Sequence, residues 1–237
     1  MEVYVSLGII ILSGLITASL QLPLGTLLLL YHASLGKNVR QKTKKLASSF
    51  ISGVTLMNFL LLGTGIFLVS VLSFSGVLSN LAHLILFGLL VALGVIAWFV
   101  YYKRKGSTEL WLPRRLARYI DSRAKITEDL SEAFSLGLLI PLAEILFTLP
   151  LLLLSADAIL HLDAPCQALG LVIFTLFGTL PLLVLRFFIR KGRNVAEVQR
   201  WRLRNKAFFR FFTGAGFLVL AAFLLAFVII RGAFDVQ

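Results

Sequence analysis

The fold is decided by residues 13–37, which read SGLITASLQLPLGTLLLLYHASLGK. This stretch is apolar enough for a membrane, yet Gln21 and Pro23 stand in its middle. Proline cannot donate a backbone hydrogen bond, and its ring clashes with the carbonyl group one turn earlier. In lipid, the backbone groups freed in this way need partners inside the protein. We therefore expect a kinked or broken first span whose polar atoms face protein.

A break of this kind has two interpretations. Broken helices at mid-membrane often line the binding sites of transporters. Proline is also common in membrane helices, where it produces a plain structural kink. The first span by itself is compatible with both.

The composition is that of a membrane protein. Of the 237 residues, 59% are hydrophobic and only 14% are charged, and the mean hydropathy is +0.94. A soluble domain carries about 25% charged residues. The first residues, MEVY, lack the basic segment of a signal peptide, so we expect the first apolar run to be retained. Cys166 is the single cysteine, which excludes an intramolecular disulfide or dithiol pair.

Apolar runs define the predicted spans, because a helix needs about 20 apolar residues to cross the hydrocarbon core. Six runs reach that length, at residues 3–32, 47–73, 81–102, 133–155, 166–186 and 209–230. We therefore predict an all-α fold: a polytopic membrane protein with six transmembrane helices in a single membrane domain, residues 1–237.

The positive charges are confined to alternate connections. Every Lys and Arg except Arg231 lies within residues 33–46, 103–132 or 186–210. Connections rich in Lys and Arg stay in the cytoplasm, so we predict that both termini lie outside. The net charge of +12 then reflects topology, and we expect no nucleic-acid partner.

A short amphipathic helix is predicted inside the second basic connection. Residues 110–124 read LWLPRRLARYIDSRA, and Pro113 suits the first turn of a helix. Its apolar face would hold Leu112, Leu116, Tyr119 and Ile120. Such a helix lies on an anionic membrane surface. We therefore expect the anionic cytoplasmic leaflet of the bilayer as a partner.

Spans one and four share a pattern that predicts an inverted repeat. Leu22-Pro23-Leu24 follows Gln21 in span one, and Leu149-Pro150-Leu151 follows Glu144 in span four. Span one runs inwards and span four runs outwards, so related halves would be inverted. The predicted units are repeat one at residues 1–105, an interfacial segment at 106–126 and repeat two at 127–237. The tripeptide also occurs around Pro181 in span five, so it is not confined to the predicted breaks.

Glu144 is the strongest candidate for chemistry. It lies near the middle of the fourth apolar run, between Pro141 and Pro150. A carboxylate at mid-bilayer costs about 2.5–3.5 kcal/mol on insertion scales, so such a residue is usually paired, protonated or functional. We expect Glu144 to carry protons or bind a cation; a protonated Glu144 hydrogen-bonded to another helix is the alternative. Asn58 in span two has two similar interpretations, solute contact or helix packing.

Few other residues carry a chemical signal. His83 is interpreted as a satisfied histidine at the outer edge of span three. The spacing of the remaining candidates, in and beside the predicted outer loop, fits no standard metal site. These are Asp157, His161, Asp163 and Cys166. No phosphate-binding, dinucleotide-binding, zinc-protease or nucleophile motif occurs, so we expect no enzymatic activity, no metal and no cofactor.

The pattern resembles the lysine-exporter (LysE) superfamily and the membrane domain of the CcdA-like thiol–disulfide transporters. The residues that carry the resemblance are ASLQLPL from Ala18 to Leu24, then Gly36-Lys37, and the second-half segment from Gly137 to Pro150. The resemblance implies a six-helix inverted repeat in the cytoplasmic membrane of a bacterium or archaeon. It also implies export of a small solute, or thiol-redox transfer. The single cysteine disfavours the redox activity, which needs two.

The sequence thus predicts an integral membrane transporter or exporter of a small solute or ion, coupled to protons or cations. The predicted midplane site holds Gln21, Pro23, Asn58, Glu144 and Pro150, with Pro23 and Pro150 as the breaks. The alternative is a non-transporting subunit or scaffold of a larger membrane complex. Its partner would be a second copy of the chain or another membrane protein.

Overall fold

The computed structural model describes residues 3–20, 22–32, 39–72, 80–99, 114–127, 129–190, 197, 200–201 and 204–230. Nearly all of these residues are helical and none of them forms a strand, which confirms the predicted all-α fold. The helices are α1 Val3–Ser19, α2 Leu22–His32, α3 Val39–Leu72, α4 Asn80–Phe99, α5 Arg114–Ile126, α6 Leu130–Ala143, α7 Ile145–Leu160, α8 Ala164–Arg190 and α9 Lys206–Leu224. A π-helix, Leu225–Ile230, continues α9.

Several helices are long and apolar enough to cross a membrane alone. They are α3 (over Lys44–Val71), α4 (Asn80–Phe99), α8 (over Ala164–Phe188) and α9 (continued over Ala207–Phe227). Two further pairs reach the length together but bend at a break. Val3–Ser19 and Leu24–Leu30 bend by 44°, and α6 and α7 bend by 77°. The described residues thus hold 4 spans by length and composition, or up to 6 if each bent pair is one span.

The side chains are distributed as a membrane environment requires. Large apolar residues such as Phe67 and Leu146 face outwards, with 63% and 67% of their surface exposed. Ser6, Ser13 and Asp157, in contrast, are fully buried. Polar residues are mostly exposed in a soluble protein. The combination of exposed apolar and buried polar side chains therefore supports an integral membrane protein.

α6 and α7 run alongside α3 in the same direction. Near the start of α3, the Ser49 hydroxyl donates a hydrogen bond of 2.7 Å to the Leu130 carbonyl. Near the end of α3, a β-carbon built on Gly65 would lie 3.6 Å from the Ala156 side chain. At 1.5 Å per residue, these two contacts are about 24 Å apart along α3. α3 has 34 residues and is about 51 Å long, so the bent pair follows it over about half of its length.

α1 and α8 also run parallel to each other. A β-carbon built on Gly170 of α8 would lie 3.2 Å from the Ile10 side chain of α1. Two turns further along both helices, a β-carbon built on Gly178 would lie 3.8 Å from the Thr17 methyl group. Contacts of α2 with α8 continue this alignment beyond the bend.

α4 and α9 pack against each other in opposite directions. A β-carbon built on Gly94 would lie 3.0 Å from the Leu218 side chain. One turn later on α4 and two turns earlier on α9, the Trp98 indole donates to the Phe211 carbonyl at 3.4 Å. The Trp98 and Phe211 rings also stack, with centroids 6.1 Å apart. This aromatic contact fixes the end of α4 against the start of α9.

Two apolar cores fill the bundle. The first joins α1, α3, α4, α7, α8 and α9 around Ile9, Leu62, Leu90, Phe174 and Phe217. The second joins α2, the start of α3, α5, α6 and the end of α8 around Leu27, Phe50, Ile120, Ile140 and Leu185. The second core adjoins the end of the bundle that carries Lys44 and Lys125, which we call the basic end.

α5 differs from the interfacial helix that the sequence predicts. Ile120, which belongs to the predicted membrane-facing surface, is only 2% exposed. It lies with Ala124 in the second core, where α5 packs against α2 and α6. The Arg123 guanidinium lies 3.2 Å from the Glu132 carboxylate and joins α5 to α6. At these residues α5 therefore contacts protein; Leu112 lies outside the described residues.

Candidate functional site

The bend between α6 and α7 lies at Glu144. This residue ends α6 and starts α7, with φ −92° and ψ 5°. Its amide still donates to the Ile140 carbonyl at 3.2 Å. Its own carbonyl accepts the amides of Phe147 at 2.9 Å and Thr148 at 3.1 Å. The chain therefore bends by 77° at Glu144. The backbone amide and carbonyl of Glu144 nevertheless keep their hydrogen bonds to the two helices.

Pro141 lies inside α6, three residues before the bend. It has no amide hydrogen, so the Gly137 carbonyl loses its helical donor, and the proline ring clashes with that carbonyl. Pro150, in contrast, is buried inside α7. The prediction that Pro150 forms the break of span four is wrong, because the bend lies at Glu144, just after Pro141.

The Glu144 side chain is buried at the bend. Only 4% of its surface is exposed, and Ile140, Pro141 and Thr148 beside it are also buried. The Thr148 hydroxyl donates to the Glu144 carbonyl at 3.3 Å. The structure thus places a buried carboxyl group at a helix break, beside the backbone groups of the two helix ends. Transporters hold coupling ions with such groups at discontinuous helices.

The first bent pair, α1 and α2, is broken at the place that the sequence predicts. α1 ends at Ser19, Leu20 lies outside the helices, and α2 begins at Leu22 with Pro23 as its second residue. Proline is tolerated in the first turn because an amide there has no helical partner. Gln21 lies outside the described residues, so its role at the break stays a prediction.

The hydroxyl groups at the end of α1 bond to protein. Ser19 donates to the Ile16 carbonyl at 2.6 Å and accepts a hydrogen bond of 2.9 Å from Thr213 of α9. Thr17 donates to the Ser13 carbonyl at 2.9 Å. The polar atoms beside this break therefore face the bundle, as expected, and one of them ties α1 to α9.

Asn58 lies where α1, α3 and α8 meet. Its side chain is buried, with 6% of its surface exposed. A β-carbon built on Gly178 would lie 3.8 Å from the Asn58 Nδ2 and 3.8 Å from the Thr17 Cγ2. The missing side chain at Gly178 therefore leaves a small space between an amide and a threonine from two other helices. Such a space suits a small polar group.

The sequence does not reveal the contact between His83 and Asp157. The Nε2 atom of His83 lies 2.9 Å from the Oδ2 atom of Asp157, and both side chains are buried. The prediction that Asp157 belongs to an outer loop is wrong, because it lies inside α7 and is fully buried. The two residues are 74 positions apart, so no local pattern joins them. The His161 that follows α7 approaches the Asp157 carbonyl with Nδ1 at 2.8 Å.

Metal ligation is not supported by the described part of the chain. Those residues contain no group of three His, Cys, Asp or Glu side chains that could hold a metal ion. Cys166 is a free thiol, half-buried at the start of α8. Comparisons of the chain with protein-family models, with curated proteins and with solved structures found no match. The resemblance to the lysine-exporter superfamily therefore stays a prediction.

Proposed function

We propose that this chain is a secondary transporter of a small solute, with its binding site between two helix breaks. The observation that carries the proposal is the buried carboxyl group of Glu144 at a 77° bend in an apolar helix pair. Ionisable residues at membrane depth are costly, and they commonly mark ion or substrate pathways. The resemblance to exporters, stated from the sequence, points to the same class of protein.

We count each bent pair as one span, which gives six spans. The contacts of Ser49 with Leu130 and of Gly65 with Ala156 are about 24 Å apart along α3. The hydrocarbon core is about 30 Å thick. A re-entrant loop would return towards its starting side and would contact α3 near one end. The three basic connections then share one side, and the positive-inside rule puts both termini outside.

The contacts between helices support two inverted halves. Gly14 of span one meets α8 beside Gly178 of span five, and Gly137 of span four meets Gly53 of span two. If spans one to three correspond to spans four to six, the crossing of spans one and five corresponds to the crossing of spans four and two. In both crossings the two helices run parallel. Gly14 and Gly137 each lie about two turns before the break in their own span. The third spans of the halves, α4 and α9, pack against each other and so correspond as well.

Inverted broken spans support alternating access, in which the two halves rock around a site at the midplane. The solute contacts the Asn58 amide and the space beside Gly178. Glu144 carries the coupling proton or binds the coupling cation. The backbone groups at the two helix breaks complete the polar surroundings. Pro23 and Pro150 act through the shape of their helices, Pro23 by starting α2 and Pro150 from within α7.

The close packing around the bend favours a second function. Glu144 and Thr148 are each only 4% exposed, so the bend is enclosed by protein. A bend enclosed by protein fits a non-transporting subunit or scaffold of a larger membrane complex. Exposed apolar side chains such as Phe67 and Leu81 would then contact a partner helix in place of lipid.

Flux measurements in proteoliposomes separate the two functions. The purified chain is reconstituted and tested for uptake of amino acids, divalent cations and protons against empty liposomes. Gly178→Ala adds one methyl group in ordinary contact with Asn58 and Thr17, so it should fold normally yet reduce flux. Gly63→Ala is the matched control, because nothing lies within 4 Å of its added carbon. No flux of any of these solutes in the wild type, or equal flux in Gly178→Ala, would contradict this assignment of the site.

A further inference from the structure

We propose that α1 and α7 hold a water-binding site between the hydroxyl groups of Ser13 and Ser155. Both side chains are fully buried. Among the residues that the structure describes, neither hydroxyl oxygen meets a hydrogen-bond partner. Buried polar groups in native proteins are nearly always paired, and ordered water commonly supplies the partner that the protein does not. This site goes beyond the transport function proposed above and does not depend on it.

The two serines differ from other buried hydroxyl groups of the bundle. A hydroxyl group inside a helix can donate to the carbonyl one turn earlier. Thr17 donates in this way to the Ser13 carbonyl at 2.9 Å, and Thr175 to the Leu171 carbonyl at 2.8 Å. Ser13 and Ser155 also have a helical turn before them, yet neither hydroxyl bonds to it. Both hydroxyls are therefore available to a small ligand between the helices.

Contacts with α8 place the two serines at the same depth in the bundle. A β-carbon built on Gly170 would lie 3.2 Å from the Ile10 side chain of α1 and 3.0 Å from the Ile159 side chain of α7. Ser13 follows Ile10 by three residues, and Ser155 precedes Ile159 by four. α7 leads into α8 through residues 161–163 and runs opposite to it, whereas α1 runs parallel to α8. Both steps therefore lead the same way, by about 4.5 and 6 Å.

The two serines also lie on the sides of their helices that face each other. On α1, Gly14 contacts α8 and Ile16 contacts α9, and Ser13 lies on the buried side between these two contacts. On α7, Ser155 is one turn from Ile159 and shares its face, which is the face in contact with α1 and α8. α1 packs directly against α7. A molecule between the two hydroxyls is therefore enclosed by α1, α7 and α8.

Water is the ligand that this chemistry favours. Each hydroxyl offers one donor and two acceptor positions, and a buried water makes about three hydrogen bonds to such groups. Neither serine offers the negative charge that a buried cation requires. An apolar molecule would leave both hydroxyls unpaired.

The position of the site gives it a role in the proposed transporter. Ser13 is one turn before Thr17, whose methyl group borders the space beside Gly178 and Asn58. Ser6, two turns before Ser13 on the same face of α1, is also fully buried, and its hydroxyl meets no partner in the described part of the chain. Because α1 runs opposite to α7 and α3, this row begins at the end of the bundle opposite the basic end. Under the proposed function, on which this step alone rests, water follows α1 to the solute site from the outside.

A double-mutant cycle in the purified full chain tests for a shared water. Ser13→Ala and Ser155→Ala each remove one partner of the water, so each should lower the unfolding temperature in detergent. The double variant should lose no more than the larger single loss, because a water that both serines bind is lost once. Ser6→Ala combined with Ser155→Ala is the matched control. Ser6 is about 10 Å from Ser13 along α1, so the effects of these two changes should add.

Two results of the cycle overturn the proposal. One is an unfolding temperature that stays unchanged or rises in either single variant, because removing a hydroxyl that is buried without any partner relieves a desolvation cost. The other is a double variant of Ser13 and Ser155 in which the two single effects add.

Water-edited solid-state NMR of the wild-type chain in lipid bilayers tests the site without substitutions. With ¹³C-labelled serine and threonine, magnetisation should pass from water to Ser13 and Ser155 sooner than to Thr179. Thr179 is also buried, but it donates to the Thr175 carbonyl of its own helix at 2.8 Å. Transfer to the two serines that is no faster than transfer to Thr179 overturns the proposal. Neither measurement depends on solute flux, so a chain that moves no solute but shows the shared water loses the transport function and keeps this site.

Discussion

A β-carbon on Gly53 would lie 3.1 Å from the Gly137 Cα, and a β-carbon on Gly137 would lie 3.1 Å from the Gly53 Cα. The backbones of α3 and α6 are therefore in direct contact where these helices cross. Each added carbon would also overlap a carbonyl oxygen of the other helix, that of Phe134 or of Phe50. Only glycine allows this crossing, which fixes α6 on α3 just before the bend at Glu144.

We predict that Gly53→Ala destabilises the protein by about 1–3 kcal/mol, the usual cost of overpacking a well-packed site. Gly63→Ala in the same helix has free space around its added carbon. It should be neutral or stabilising, since alanine favours a helix interior by about 1 kcal/mol over glycine. Thermal unfolding of both variants in detergent measures the difference. Equal unfolding temperatures would show that the helices do not touch at Gly53.

Substitutions at Glu144 should separate folding from coupling. Glu144→Lys forces a charge into the bend, which costs about 2.5–3.5 kcal/mol at mid-bilayer, so folded yield should fall. Glu144→Gln mimics the protonated side chain, so it should fold and lose the pH dependence of solute flux. Glu132→Gln at the start of α6 is the control, because its partly exposed contact with Arg123 is worth about 0–1 kcal/mol. Full, pH-dependent flux in Glu144→Gln would leave Glu144 with a structural role only.

The two prolines of the second bent pair should differ in effect. Pro141→Ala restores an amide donor for the Gly137 carbonyl and removes the ring clash in the last turns of α6, so the bend should open and flux should fall more than folded yield. Pro150→Ala lies inside α7 and should leave the bend in place. The distance between spin labels on α6 and α7 reports the angle in each variant. An unchanged distance in Pro141→Ala would assign the bend to packing alone.

The positive charges predict which residues face the cytoplasm. Replacing Cys166 with serine gives a background without cysteine. Single cysteines placed at Lys44 and Lys125, both exposed at the basic end, should react with an impermeant thiol reagent only from the cytoplasmic side. Cysteines placed at Asn80 and Asp163 should react only from outside. Labelling of Lys44 and Asp163 from the same side would contradict the six-span topology.

Local sequence chemistry predicts the helices and the first break. A membrane-spanning helix is recognised from the hydropathy of about 20 consecutive residues, which is a local property of the sequence. The apolar runs at 81–102 and 166–186 therefore correspond closely to α4 and α8. Pro23 predicts the first break because a proline starts a helix more easily than it continues one. Glu144 was predicted as a residue near the second break for similar local reasons, and the structure places the bend on it.

Contacts between distant segments decide what the sequence does not predict. The second bent pair has two prolines, and its bend follows Pro141. Gly137, one turn before Pro141, is packed against Gly53 of another helix. Asp157 has the appearance of a loop residue because it is charged and ends an apolar run. Its burial depends on His83, 74 positions away. Ile120 likewise faces α2 and α6. The periodicity of the local sequence does not distinguish an apolar face that contacts other helices from one that contacts lipid.

Alternating access at Asn58 is the central claim, because a transporter must open its midplane site to each side in turn. The direct measurement is labelling of Asn58→Cys, in the Cys166→Ser background, with an impermeant thiol reagent applied to right-side-out and to inverted vesicles. Thr64→Cys, on an exposed face of the same helix, is the control and should react from neither side, since lipid excludes the reagent. We predict that the cysteine at position 58 reacts from both sides. Reaction from one side only, or from neither, would contradict transport and favour a closed membrane subunit.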